Sequence, residues 1–454
     1  MVDLVIKNGT VVSGGREEQR DIGVTGDRIE ALYPAGKAPG AAEVIDASGY
    51  YVLPGFVDAH VHTRAPARPD RETWQSATKA AAASGVTTIL EMPTSSPPAS
   101  TPEAVRNRRR TGEEACYVDF ALYAGGAVDG DTAKGLADEG VIGFKAFSHG
   151  VPSGREAEFI GLCAPDNAKL FSSLSGIAPT GLPCAIHAED NLLLEQGIEK
   201  MRRAGRSDIL AHADSRPAYV EAAAIASLLV FAEELSVRLH LPHVSSSWGV
   251  KLAMQAKERG VDVSVETCPH YLVFDREDME RAGVYAKINP PLRSPDEQHS
   301  LWRAVHERGV DIIASDHSPY LPEEKQAGDV WSAPAGHPEL DAAFPAILSK
   351  VADGLLSYSH AVELLATNPA RTFGLTHKGS IDPGKDADLV LLDPSIEWTF
   401  RKNEGFVLTR DNYRLYDDFP MKGRIVQTLC RGRTVYADGK ITGHEGYGRF
   451  TAPT

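Results

Sequence analysis

The chain has 454 residues, 42% of them hydrophobic and 24% charged, which suits a soluble protein of two domains and leaves no apolar run long enough to span a bilayer. Acidic residues outnumber basic ones by 62 to 47, a formal net charge of -15, so the summed field repels phosphate backbones and anionic lipid surfaces. Nucleic acid and membrane are poor partners for such a chain.

The N-terminal stretch MVDLVIKNGTVVSGG reads as an alternating strand and a turn, without the basic start or cleavage site of a signal peptide, and a cytoplasmic protein is expected. Cys116, Cys163, Cys184, Cys268 and Cys430 are scattered, odd in number and never in a CxxC pair. Neither a disulfide framework nor a thiolate zinc site is indicated.

Residues 1–50 continue as short strands with glycine turns. Then come eight β-branched, apolar runs bounded by turn residues: YVLPGFVDAHVH, TTILEMPT, VDFALYAG, GVIGFKAFS, PCAIHAED, RLHLPHVSS, VDVSVETCPHYL and DIIASDHSP. Helix-like segments alternate with them, among them ETWQSATKAAAAS, AYVEAAAIASLLVFAEELS and GVKLAMQAKERG. The runs are mostly continuous in hydrophobicity, as strands covered by helices must be, and no GxGxxG follows a strand. The fold expected is a (β/α)8 TIM barrel over residues 53–377. Residues 1–52 and 378–454, both strand-like, are expected to pair into a small β-sandwich domain. One helix is read to start at Thr101 as N-cap with Pro102 in its first turn, and its RNRRR cluster at 106–110 as a solvated face. Two long loops, TSSPPASTP and YLPEEKQAGDVWSAPAGHPEL, fall after the second and eighth strands, where a barrel carries its function.

The ionisable residues gather at strand ends. In a strand, residues two apart face the same side, so His60 and His62 present two imidazoles together. Such a pair on an isolated strand is more often structural, and the neighbours decide. His187 ends the fifth run, His243 the sixth and Asp316 the eighth, while Lys145 lies near the end of the fourth. Imidazole and carboxylate are the ligands that a zinc-type divalent ion accepts. His270 and His317 are candidates for supporting or structural roles.

These residues lie in PGFVDAHVH, GFKAF, IHAED, PHVSSS, VETCPHYL, NPPLR, SDHSP, NPARTFGL and KGSIDPGKDADLVLLDP. In order and spacing the set resembles the amidohydrolase superfamily, in its cyclic-amidase branch of hydantoinases (dihydropyrimidinases), allantoinases and dihydroorotases. The resemblance implies two divalent metal ions per subunit, usually zinc, with manganese or cobalt as alternatives, bridged by Lys145 carboxylated on its side-chain nitrogen. By motif position His60, His62 and Asp316 would complete one shell and His187 and His243 the other. A metal-bridging hydroxide would attack the ring carbonyl, with Asp316 as general base and then acid. The substrate implied is a small cyclic amide, and family members are commonly homo-oligomers, tetramers or dimers.

Dihydroorotases bind their substrate carboxylate with arginine in HxHxR, asparagine in MPN and histidine four residues after the catalytic aspartate. Arg64 fits the first position, whereas Thr94 and Tyr320 stand at the others. Losing two such donors costs several kcal/mol, at about 1.5 to 3 per charged hydrogen bond, so a hydantoin ring, as in allantoin or a 5-substituted hydantoin, is favoured over dihydroorotate. Asn289 in KINPPLR leans toward dihydroorotase, and Gly150 stands where dihydropyrimidinases carry a tyrosine five residues after the bridging lysine. Arg64 is either a binder of a polar or anionic substituent or a partner of Asp58 or Glu91. The loop AGHPELDAAF brings His337 and Glu339 near the mouth. The rival from another class is a non-catalytic dihydropyrimidinase-like scaffold, against which the retention of all six ligand positions argues.

Overall fold

Eight short strands, Phe56–Val61, Val86–Glu91, Asp119–Gly125, Gly143–Phe147, Cys184–His187, Leu239–Leu241, Val263–Thr267 and Ile312–Ile313, lie parallel, each beside its predecessor. They are the eight runs read from the sequence, in that order. The computed structural model describes residues 2–326 and 328–454. The seam between first and last strands is closed by the His62 N–H donating to the His317 carbonyl at 2.8 Å. Below it, Asp58 Oδ1 accepts from the Ser315 N–H at 3.0 Å. Strands buried on both sides need apolar residues on both sides. Val57, Leu90, Ala121, Ala185 and Ile312 join the cluster that Tyr123 and Phe373 fill, and Phe56, Ile89, Phe120 and Phe144 belong to the larger core with the helices.

The helix Pro102–Ala115 starts as read, with Thr101 Oγ1 accepting from the Ala104 N–H at 3.2 Å. Its basic cluster is not one solvated face. Arg106, Arg109 and Arg110 are exposed, but Arg108 is 2% exposed, pairs with Glu91 and donates to the Met92 carbonyl at 3.2 Å. A buried guanidinium is tolerable because Glu91, at the end of the second barrel strand, neutralises it.

The two chain ends form a second sheet of nine strands. Tyr51–Pro54 from the N-terminal part pairs antiparallel with Leu389–Phe400, which pairs in turn with Phe419–Cys430. Thus the run YVLPGFVDAHVH is two strands, and the accessory sheet reaches Pro54 instead of ending at residue 52. The break is Gly55, where a Cβ would collide with Thr87 and Asp388. The sheet encloses its own core of Leu4, Ile22, Val52, Leu389 and Leu429. It is tied to the barrel by buried Lys378, whose Nζ lies 2.6 Å from Asp119, 3.0 Å from Asp386 and 2.8 Å from Asp388. Among the described residues, no helix is long and apolar enough to cross a membrane.

Candidate metal centre

His60 Nε2 lies 3.2 Å and His62 Nε2 3.6 Å from the same atom, Asp316 Oδ1. His187 Nδ1 lies 3.2 Å from His243 Nε2, and the His60 and His243 ring centres are 5.3 Å apart. One group thus continues into the other. The first strand's pairing is irregular between Asp58 and Val61, a kind of interruption that re-aims side chains beside functional sites. Arg64, His243 and Asp316 all have positive φ, of 60°, 42° and 50°. Non-glycine residues hold this conformation at a cost, and it turns the chain sharply just past the ends of three barrel strands.

Lys145 is wholly buried on the fourth strand, and its Nζ has no hydrogen-bond partner. Burial pushes its ammonium down to about 8, against the pull of Asp316. An ammonium left without an acceptor is a poor occupant of such a place. Four imidazoles, a carboxylate and this amine form a donor set suited to divalent ions, with the lysine fitting if it is converted to an oxygen ligand. Burial also raises Asp316 and lowers His60, to about 4, and His243 well below its ordinary value. The rings are therefore neutral at pH 7, with lone pairs free to bind a cation.

Residues behind these donors orient them. Glu266, fully buried on the seventh strand, accepts from His60 Nδ1 at 3.0 Å, from His240 Nε2 at 3.1 Å and from the His243 backbone N–H at 3.2 Å. Glu189 lies 2.9 Å from His187 Nε2 and is itself paired with Arg216. Nδ1 of His187 is then the atom left to face the centre, while His60, held at Nδ1, presents Nε2. Sequence reading missed both glutamates. Glu189 follows His187 by two residues, which is a usable signal; Glu266 is separated from His60 by 206 residues and has none.

The donors floor a cavity of about 690 Å³, also lined by Arg64, Asn289, Gly150, Phe147, Arg155 and Tyr320. Arg64 partners neither Asp58 nor Glu91. Its guanidinium donates to Ser318 Oγ at 2.8 Å and Tyr320 Oη at 3.3 Å, because Glu91 is taken by Arg108 and Asp58 by the backbone at the seam. Arg155, on the loop after the fourth strand, donates to Tyr320 Oη at 2.7 Å and was not singled out from sequence. His337 and Glu339 do not line this cavity; they are buried beside His270.

The amidohydrolase family model matches residues 51–435. The chain is 39% identical to an allantoinase of Rubrobacter xylanophilus, over 99% of this chain and 98% of the relative. It is 33% identical to an L-hydantoinase of Paenarthrobacter aurescens, over 99% and 98%. The solved L-hydantoinase (dihydropyrimidinase) from Arthrobacter aurescens superposes with a TM-score of 0.94 at 32% identity, covering 100% of both chains. Family and donor cluster together support the use of divalent metal. With barrel, accessory sheet and full-length relatives in agreement, the chain belongs to the amidohydrolase family, in its cyclic-amidase branch.

Proposed function

We propose that the protein hydrolyses a ring amide bond of a cyclic ureide, a hydantoin with a polar substituent at C5, using two divalent ions of the zinc type held by His60, His62, Lys145, His187, His243 and Asp316. The observation that carries this reading is the partnerless, fully buried Lys145 amine among four imidazoles and Asp316 at the floor of a cavity. The relatives named for allantoin and hydantoin support the ring class.

Burial favours the neutral amine of Lys145, the form that adds CO2: the nitrogen lone pair attacks the carbon, one N–H proton leaves, and an anionic carbamate results. Divalent ions at such a site make water nucleophilic near pH 7 and polarise a carbonyl. Asp316 touches both His60 and His62 and keeps 15% of its side-chain surface exposed to the cavity, so it is placed to take the proton of the attacking water. Returning that proton to the ring nitrogen makes the amine a competent leaving group. Glu266 and Glu189 hold the imidazoles in their tautomers throughout. Arg64 and Arg155, gathered on Tyr320 at the wall, select a polar ring substituent such as a ureido group.

The test is a panel of allantoin, 5-substituted hydantoins and dihydroorotate, offered to zinc-, manganese- and cobalt-loaded enzyme and followed by ring-opening absorbance. Turnover of a hydantoin is expected. A folded, metal-loaded sample inert toward every ring overturns the proposal, and near-zero metal per chain points to the scaffold reading.

A further inference from the structure

Behind Asp316 lies a second cluster of donors that the reaction does not use. His270, in the short helix Pro269–Val273 that follows the seventh strand, points Nδ1 at Glu339 Oε1, and His337 Nε2 lies 2.7 Å from the same oxygen. All three side chains are buried, at 1%, 3% and 0% exposure for His270, His337 and Glu339. We propose that His270 Nδ1, His337 Nε2 and Glu339 Oε1 hold a third divalent cation of the zinc type, separate from the pair at the barrel mouth.

Two observations carry it. First, His337 Nδ1 lies 3.0 Å from the Pro338 carbonyl oxygen, which can only accept, so Nδ1 carries the hydrogen. In the neutral ring Nε2 is then a bare lone pair facing a carboxylate oxygen 2.7 Å away, and two lone pairs at that distance repel unless a proton or a metal cation is held there. A backbone carbonyl that fixes one ring nitrogen and leaves the other with a free lone pair is the tautomer that a metal-binding histidine needs. Tyr416 Oη, donating to Glu339 Oε2 at 3.0 Å, fixes the carboxylate so that Oε1 faces the rings. Second, the surroundings are short of positive charge. Glu72, Glu339 and Asp341 are all buried, and among the described residues none pairs with a lysine or arginine. Two histidines and one glutamate make up one of zinc's three-residue protein sets.

The ion's effect would be positional. The Glu339 N–H donates to His317 Nδ1 at 3.0 Å, and His317 is the residue after Asp316, so clamping residues 337–339 to the helix Pro269–Val273 braces the segment that carries Asp316.

The test is metal content per chain together with anomalous diffraction at the zinc edge, using full-length enzyme produced with added zinc. Wild type is expected to bind three ions, Glu339→Gln and His337→Phe two each, and the crystal to show a peak between His270 Nδ1 and His337 Nε2. Lys145→Ala, which strips the pair at the mouth, is expected to keep the third ion. A wild-type crystal with zinc at the mouth and none at Glu339 overturns the proposal and means that a proton, as a His337 imidazolium, fills the place. A peak at Glu339 with none at the mouth would instead refute the two-ion reading of the main site while upholding this one. If either variant fails to fold, the wild-type crystal decides alone.

Discussion

Glu266→Gln tests whether the imidazoles at the mouth work through their buried support. The substitution keeps volume and removes charge. Glu266 accepts from two histidines, one of which, His60, lies 3.2 Å from Asp316. A carboxamide has one acceptor oxygen for those two rings and turns an N–H donor toward the other. Losing one charge-assisted hydrogen bond costs about 1.5 to 3 kcal/mol, and at about 1.4 kcal/mol per decade metal affinity should fall roughly 10- to 100-fold. Supporting contacts to metal-bound histidine have effects of that size. The assay is metal competition against a graded chelator, with the thermal midpoint measured alongside to separate loss of ligand orientation from loss of fold. A folded Glu266→Gln protein with wild-type metal affinity would refute the claim that Glu266 sets the His60 tautomer.

Lys145→Ala should lose both mouth ions and turnover, and a short carboxylic acid such as acetate in the buffer should restore part of each; rescue by ammonium instead would contradict the carbamate. Arg155→Ala should raise KM for a substituted hydantoin about tenfold with kcat little changed, the worth of one charged hydrogen bond to substrate, as steady-state kinetics will show. Lys378→Met leaves buried Asp388 without its side-chain cation, while Asp119 keeps Arg431 and Asp386 keeps Arg28, and should destabilise the protein by about 3 kcal/mol in urea unfolding. Burial alone would lower Lys378, but Asp388 and its neighbours raise it above its ordinary value, so its contribution is full below about pH 10.4 and is lost only as pH climbs through the raised folded value. Thr101→Ala removes the cap on Ala104 and should cost about 1 kcal/mol by the same measurement.

Much of the molecule was legible in the order of its residues. The eight barrel strands show themselves because burial on both sides demands unbroken apolar runs of Val, Ile, Phe and Ala, a local property. His60, His62, His187, His243 and Asp316 could be singled out for a similar reason: each lies at or just beyond the end of such a run, so strand position alone sends them toward one rim. Lys145 was the harder reading, since only the tertiary structure shows that its amine is sealed away without a partner.

What depended on the third dimension is pairing across long separations. Glu266 with His60, Arg108 with Glu91, Arg155 with Tyr320 and His270 with Glu339 are joined by no repeat or periodicity, because a hydrogen bond constrains distance in space and leaves sequence spacing free. The split of the first run at Gly55 is of the same kind. Nothing local distinguishes a glycine in a long strand from one pressed against Thr87 and Asp388, and only packing reveals that one strand closes the accessory sheet and the next opens the barrel. The sequence by itself thus determined which groups stand at the barrel's open end. Tertiary structure decided their protonation, their orientation and their supporting partners, since these follow from burial and from the field of distant charges.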